Sequence, residues 1–416
     1  MNTATLLRLS FLYLIVLGIF LVGSFLSNLI TIASIQSNLV QSVNTLEQEG
    51  LYPVSFGNKY SDFSFLVRDQ YTDCLMLNEA ASVDAEDPLK SAILTPCLKS
   101  GRGVEMMPDD LRQVAQGTMK PNVNYDWYWH GYLVVLRPLL VFFDYAQIRW
   151  INCGLMLILV LWVLWLMAQR LGMICVILSA GLLFAMHFET VPYTMQYVSV
   201  FFVTFIATGV LLKWNYFFAK RNNDVLAFFA IGAVTVFLDF LTVPIVSLGI
   251  PLLFWLLVKK GETAKWKDVI VLSIAWGAGY TLLWMSKWAV CAMTFDPSVL
   301  TNAASHAEKW SGNASELGRL GMTIGVLKKY VALVWSMNWG WGLIVAAGMM
   351  KLLPKTKNWK RENSWILLIA LMPMVWSLVL VNHNYAHFGF TWRLISVSLF
   401  AVAIWVYKCI DWKKLI

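Results

Sequence analysis

The sequence predicts an all-α polytopic membrane protein with about ten transmembrane helices, a large extracytoplasmic loop after the first helix, and interfacial helices. Hydrophobic residues make up 59% of its 416 residues and charged residues only 13%, whereas a soluble domain carries about 25% charge. Apolar runs of about 18 residues or more recur, the length at which a helix can cross a bilayer. Lys and Arg gather in short stretches between these runs, so the net charge of +8 indicates membrane orientation and no nucleic-acid partner.

Ten apolar intervals are predicted to cross the membrane. They cover residues 9–33, 149–168, 172–187, 197–213, 225–240, 241–258, 268–289, 327–350, 364–381 and 392–408. If the chain crosses ten times, the connections that hold more than half of the 32 Lys and Arg residues fall on one side. The opposite connections at 188–196, 240–243 and 382–391 contain neither residue type. The positive-inside rule then places both termini in the cytoplasm of a bacterial plasma membrane.

The predicted domains are a first transmembrane helix (1–33), an extracytoplasmic loop with interfacial helices (34–148) and a helical bundle (149–416). The first apolar stretch is long and lacks an Ala-x-Ala-like exit, so it is predicted to be a retained helix rather than a signal peptide. The segment 132–143 is apolar but short, and it contains Arg137 and Pro138. Counting it as a span would invert every later connection, so it is predicted to lie in the outer interface.

Two of the six cysteines, Cys74 and Cys97, lie in the large loop. They can pair as a disulfide in an oxidising compartment or stay reduced, and spacing alone does not decide between these states. The cysteines show no spacing typical of metal ligands.

Ionisable residues concentrate on the predicted outer side. All five histidines fall there, at positions His130, His187, His306, His383 and His387. The candidate carboxylates on that side are Asp62, Asp69, Asp73, Glu189 and Asp239. Because an ionisable group near a membrane is costly unless it is paired or functional, any chemistry is expected outside the cytoplasm. His383 and His387 stand one helical turn apart, a spacing that can bind a metal, but no Glu-rich or Cys-rich segment accompanies them.

Three segments carry a resemblance to a known superfamily: RDQYTDCLMLNEA (68–80), NYDWYWHGYLVVLRPLL (124–140) and NHNYAHFGFTWR (382–393). Together with the order of helix, large outer loop, interfacial helices and bundle, they resemble a bacterial branch of the GT-C membrane glycosyltransferases. The resemblance implies inverting transfer of a sugar from a polyprenyl-phosphate donor to a glycan or lipid acceptor of the cell envelope, within membrane lipid. The chain has no Asp-x-Asp or Asp-Asp pair, only Asp69-x-x-x-Asp73, so the cofactor is unknown and a divalent metal requirement stays open.

Such a transfer needs a carboxylate that accepts the proton of the acceptor hydroxyl, and donors that hold the phosphate. Asp73 is predicted as the base, ahead of Asp69 and then Asp62, because CLMLNEAA indicates a helix with Thr72 or Asp73 as its N-cap. Arg393 suits a phosphate through its planar donor fork. The other predicted substrate-binding residues are His130, Arg137, His187, Glu189, His383 and His387.

Structural interpretations compete with these roles: Asp73 can simply cap its helix, and His383 and His387 can pack at the interface. Other functions are also compatible with the pattern. A polysaccharide polymerase or ligase usually places its large loop late in the chain, unlike this one. A transporter of lipid-linked sugars needs polar residues at mid-depth, where these spans are almost free of charge.

Overall fold

The structure, a computed structural model, describes residues 3–54, 67–84, 86–259, 265–312, 317–357 and 359–414. The α-helices of this part are α1 (Thr3–Asn28), α2 (Ile32–Glu49), α3 (Gln70–Ala81), α4 (Pro88–Leu94), α5 (Met107–Ala115), α6 (Leu133–Leu140), α7 (Tyr145–Leu171), α8 (Met173–Ala185), α9 (Met195–Lys213), α10 (Asn215–Phe218), α11 (Asn223–Leu238), α12 (Val246–Val258), α13 (Lys265–Thr294), α14 (Val299–Ser311), α15 (Gly318–Ser336), α16 (Trp339–Leu352), α17 (Trp359–Val379), α18 (Val381–Ala386), α19 (Phe388–Thr391) and α20 (Ile395–Cys409). Short 3₁₀ helices cover Val104–Met106, Phe188–Tyr193, Trp392–Leu394 and Trp412–Lys414. Strands β1 (Pro96–Cys97) and β2 (Val123–Asn124) pair antiparallel.

Six helices in the described residues are long and apolar enough to cross a membrane. They are α1, α7, α9, α13, the part of α17 from Glu362 to Val379, and the Phe388–Cys409 segment that contains α19 and α20. Three shorter apolar helices, α8, α11 and α12, coincide with further predicted spans. The fold is therefore all-α with several apolar, span-length helices, and the total of ten crossings stays a prediction.

The predicted span at 327–350 falls on two helices rather than one. Helices α15 and α16 meet at 85°, and Asn338 between them has a φ of 59°. Asparagine adopts this left-handed conformation more readily than most residues. The pair is a broken span or a re-entrant segment, which apolar length alone could not reveal.

The large loop carries a folded helical subdomain with its own apolar core. Helix α2 buries Ile35, Leu39, Val43 and Leu46, a spacing of three to four residues that aligns them on one face. These residues pack with apolar side chains of α3 and α5. The side-chain amide of Asn78 holds the backbone at Leu98 in place. It donates to the Leu98 carbonyl at 3.0 Å and accepts from the Leu98 N–H at 2.9 Å.

Cys74 and Cys97 both lie buried in this subdomain as free thiols. The structure shows no disulfide between them.

Helix α6 corresponds to the segment predicted to lie in the interface. It has eight residues and Pro138 inside it, so it spans only about 12 Å. That length is too short to cross a bilayer, as the sequence analysis expected.

Helices α11 and α13 pack closely through two glycines. A Cβ at Gly232 would lie 2.0 Å from the carbonyl oxygen of Trp276, and a Cβ at Gly279 would lie 2.0 Å from that of Phe229. Small residues of this kind let two membrane helices approach until their backbones touch. This contact joins α11 to α13.

The basic connections gather at one end of the bundle. Arg8 donates to the Arg221 carbonyl at 2.8 Å, which brings the start of α1 next to the start of α11. Lys259, after α12, pairs with Asp224 at 2.9 Å and with Asp268 at 3.2 Å. The subdomain from the large loop lies against other helix ends, and the cavity described next opens there.

Candidate functional site

A cavity of about 490 Å³ lies where the loop subdomain meets the ends of the bundle helices. Its walls come from α3, the segment before α6, the start of α9, α14 and α18. Aromatic rings are the commonest lining groups, and they belong to Tyr52, Tyr71, Tyr125, Tyr128, Tyr197, Phe240, Trp310 and Phe390. The polar side chains that line it are Asp69, Thr72, Lys99, Gln196, His383 and His387. We call this space the aromatic cavity.

Asp69 is the only carboxylate that lines the aromatic cavity among the described residues. It is the N-cap of α3: its Oδ1 accepts from the Thr72 N–H at 3.1 Å and its Oδ2 accepts from the Thr72 hydroxyl at 2.9 Å. The predicted cap at Thr72 or Asp73 is therefore wrong, since the helix begins at Gln70. Burial raises the pKa of Asp69 above its ordinary value, which makes its carboxylate a stronger proton acceptor.

Asp73 lies one turn further along α3 and is fully buried. Its Oδ2 accepts from the Tyr145 hydroxyl at 2.6 Å and from the Met195 N–H at 3.0 Å, and its Oδ1 accepts from the Gln196 N–H at 3.0 Å. Burial raises the pKa of Asp73 to about 7. The carboxylate does not line the aromatic cavity and satisfies two of the free N–H groups that begin α9. This geometry does not fit the predicted role of Asp73 as the base, because a base must reach the acceptor hydroxyl and this carboxylate instead joins α3 to the bundle.

Asp62, the third predicted base, lies outside the described residues.

His383 and His387 both line the aromatic cavity, so the structure brings this predicted pair together with Asp69. Their ring centroids lie 5.0 Å apart, and Trp310 packs edge-on against both at 5.1 and 5.3 Å. Burial lowers the pKa of His383 to about 3 and also lowers the pKa of His387. His383 is therefore a neutral hydrogen-bonding group at physiological pH rather than a cation. Its buried Nδ1 has no hydrogen-bond partner within the described part of the chain.

Arg393 is fully buried and does not line the aromatic cavity, so the predicted direct contact with a phosphate is not formed there. Its guanidinium lies 4.1 Å from the ring centre of Tyr197 and 4.7 Å from that of Trp392. Its Nη2 donates to the Thr190 hydroxyl at 3.3 Å. Because Tyr197 lines the aromatic cavity, Arg393 supports the site from behind this ring.

His130 and Arg137, two further predicted substrate-binding residues, are buried behind the cavity wall. The His130 Nε2 lies 2.8 Å from the Tyr125 carbonyl oxygen, and its Nδ1 lies 3.1 Å from the Glu79 carboxylate. The Arg137 guanidinium donates to the Ser27 carbonyl at 3.0 Å and to the carbonyls of Ile30 and Ala80. The polar atoms of both residues are engaged by other groups of the protein, so neither residue fits a role in substrate contact.

His187 and Glu189 also lie away from the aromatic cavity. The His187 Nδ1 is 2.9 Å from the Glu189 carboxylate, and both side chains are part-exposed. Glu189 lines a separate apolar cavity of about 400 Å³ between α7 and α8. The structure therefore places these two residues at a different site from Asp69 and the histidine pair.

Several cavity residues were not among the predicted site residues. Lys99 is a cation in the wall, with its Nζ 4.9 Å from the ring centre of Tyr125. Gln196 places a polar side chain at the start of an otherwise apolar helix. The many aromatic residues of NYDWYWHG (124–131) could have indicated Tyr125 and Tyr128 as site residues. That these residues line the same cavity as Gln196 depends on the tertiary fold.

The described residues contain no group of three or more His, Cys, Asp or Glu side chains that could hold a metal ion. Comparison of the chain with protein-family models, with curated proteins and with solved structures found no match. The functional argument therefore rests on the chemistry of the aromatic cavity.

Proposed function

We propose that the protein is a membrane glycosyltransferase that transfers a sugar from a polyprenyl-phosphate donor to a glycan or lipid acceptor. The observation that carries the proposal is Asp69, a single buried carboxylate in the wall of a cavity lined with aromatic rings. The cavity volume of about 490 Å³ falls in the range of small-molecule sites, which combine apolar walls with a few polar groups that orient the ligand.

The aromatic walls suit a sugar ring. The C–H faces of a pyranose are apolar and can pack flat on Tyr or Trp rings, while its hydroxyls need hydrogen-bond partners at the edges. Tyr125, Tyr128 and Trp310 supply rings, and Gln196 and His387 supply polar edges.

The proposed reaction is a displacement at the anomeric carbon. The acceptor hydroxyl gives its proton to the carboxylate of Asp69 as its oxygen bonds to that carbon. The bond from carbon to the phosphate oxygen breaks, and the phosphate leaves with the electron pair as polyprenyl phosphate. Lys99, the cation in the cavity wall, can stabilise the charge on the departing phosphate.

The location of the cavity supports an extracytoplasmic reaction. It opens at helix ends remote from the basic connections of Arg8, Arg221 and Lys259. If those connections face the cytoplasm, as the positive-inside rule predicts, the cavity lies on the outer side of a bacterial plasma membrane.

The proposal is tested by incubating purified protein in lipid nanodiscs with a panel of polyprenyl-phosphate sugars and measuring released polyprenyl phosphate. Wild-type protein should release it in an acceptor-dependent manner, and Asp69→Asn should reduce the rate by about 10²–10⁴. Asp87→Asn is the matched control, because Asp87 caps α4 in the same manner but lies outside the cavity.

Equal rates for Asp69→Asn and wild type would contradict the role of Asp69. In sealed proteoliposomes, movement of labelled donor across the bilayer without release of polyprenyl phosphate would indicate a transporter instead.

A further inference from the structure

A second, basic pocket lies at the opposite end of the bundle from the aromatic cavity. Its volume is about 700 Å³, and it is formed by the start of α1, the end of α10 and the start of α11. The lining residues include Arg8, Lys220 and Arg221, together with Asn222 and Asn223, and none of the lining residues that the structure describes is acidic.

The cations of this pocket are not neutralised by the described part of the chain. Arg8 is held in place by the Arg221 carbonyl at 2.8 Å and the Asn223 side-chain oxygen at 2.5 Å, both uncharged acceptors. The nearest acidic residue in sequence, Asp224, pairs with Lys259 at 2.9 Å. Lys220 and Arg221 form no salt bridge with any carboxylate that the structure describes. Within the described residues, the pocket therefore carries positive charge that no carboxylate neutralises.

An apolar groove of about 850 Å³ continues from the basic pocket along α1, α11 and α13, and Asn222 lines both spaces. The buried side chains of Val225 and Phe229 form the floor of the groove. Leu14 and Ile274 line its walls and are 63% and 66% exposed. Because α1 and α13 are span-length apolar helices, this exposed apolar surface is of the kind that faces lipid chains.

We propose that the basic pocket and the apolar groove together bind one anionic phospholipid. The phosphate lies among Arg8, Lys220 and Arg221, and an acyl chain lies in the groove between α1 and α13. Basic pockets between membrane helices on the cytoplasmic side recognise anionic head groups in this way. The inference does not depend on the proposed glycosyltransferase activity, since it concerns other residues at the other end of the bundle.

The test measures retained lipid by native mass spectrometry while detergent-purified protein is titrated with dioleoyl phosphatidylglycerol or dioleoyl phosphatidylcholine. Wild-type protein should bind the anionic lipid more tightly. Each cation near an anionic head group contributes about 1 kcal/mol, so Lys220→Gln with Arg221→Asn should weaken binding of phosphatidylglycerol by roughly 10- to 30-fold. Asparagine is chosen because Arg221 has a φ of 54°, which Asn tolerates.

The matched control is Lys351→Gln with Lys413→Gln, which removes the same charge from exposed basic connections outside the pocket. It should leave the affinity unchanged. Equal affinity for the two lipids, or equal losses in the pocket and control variants, would overturn the proposal.

A further arm separates a lipid from a soluble phosphate. Glycerol 3-phosphate, a head group without acyl chains, should not compete at millimolar concentration. Ala278→Phe, which fills the groove, should weaken the phospholipid. Competition by glycerol 3-phosphate with full binding in Ala278→Phe protein would show a soluble-anion site and refute the lipid assignment. If Ala278→Phe does not fold, the variant with Lys220→Gln and Arg221→Asn still tests the proposal, because both residues are exposed.

Discussion

The carboxylate of Asp73 accepts a hydrogen bond of 2.6 Å from the hydroxyl of Tyr145, a residue 72 positions later in the chain. Asp73→Asn should therefore destabilise the protein, because an amide offers one acceptor oxygen where the carboxylate offers two. We expect a loss of about 1–3 kcal/mol, measured as a lower midpoint of thermal unfolding in detergent.

Asp69→Asn is the contrasting variant. Both hydrogen bonds of Asp69 stay within the first turn of α3, and asparagine caps a helix about as well as aspartate, so this protein should unfold close to the wild-type temperature and lose mainly transfer. A stable Asp73→Asn protein without transfer activity would restore Asp73 as the base.

The second prediction concerns pH. Burial raises the pKa of Asp69 above 3.8, and a base acts only when it is deprotonated. Transfer should therefore fall as the pH falls through this raised pKa, with the midpoint of kcat/KM above pH 3.8.

His383, one of the two histidines of the cavity, provides the control for that profile. The pKa of His383 is lowered to about 3, so its titration adds no step near neutral pH. His383→Gln should lower the rate but keep the acid limb, and disappearance of the limb in this variant would assign it to the imidazole.

The third prediction tests whether Arg393 acts through Tyr197. The buried guanidinium of Arg393 lies 4.1 Å from the centre of the Tyr197 ring. A buried cation–π contact of this kind contributes about 2 kcal/mol. Lysine would keep the charge but lose the planar stacking, so Arg393→Lys should reduce kcat/KM by at most roughly 30-fold, mainly by raising KM.

The coupling is measured by a double-mutant cycle with Tyr197→Leu. If the two residues act through their contact, the double variant should lose less than the sum of the two single losses. Independent, additive losses would indicate that Arg393 contacts the substrate by another route.

The fourth prediction concerns the helix contact at Gly232 and Gly279. A methyl group at either position would meet a backbone oxygen, so Gly232→Ala and Gly279→Ala should each lower stability by about 1–3 kcal/mol. Gly277→Ala is the control on the same helix, because nothing lies within 4 Å of its added Cβ. It should be neutral or stabilise α13 by up to about 1 kcal/mol, as followed by thermal unfolding.

The fifth prediction tests the orientation. In a Cys153→Ser background the other native thiols are buried. A cysteine at the exposed position Ser305 on α14 should react with a membrane-impermeant maleimide added to intact cells. A cysteine at exposed Lys357 should react only after permeabilisation, and the reverse pattern would move the aromatic cavity to the cytoplasmic side.

Sequence reasoning predicted the apolar helices because length and hydropathy are local properties of the chain. The interval 197–213 became part of α9 and 268–289 part of α13. The bend between α15 and α16 could not be predicted in this way, because the left-handed conformation of Asn338 interrupts the apolar run without changing its composition.

The site was predicted only in part for a different reason. His383 and His387, two of the predicted substrate-binding residues, line the aromatic cavity, and CLMLNEAA belongs to a helix as predicted. The choice between Asp69 and Asp73 required knowing which face of α3 packs on α9. That contact joins residues 122 positions apart, and no pattern within α3 encodes it.

The bond between α3 and the start of α9 has a consequence for biogenesis. A ribosome completes Asp73 well before it reaches Met195 and Gln196, whose N–H groups the carboxylate accepts. During that interval the emerging loop subdomain holds a carboxylate without these two donors. It gains these hydrogen bonds only after α9 has been synthesised, so part of its stability depends on the bundle.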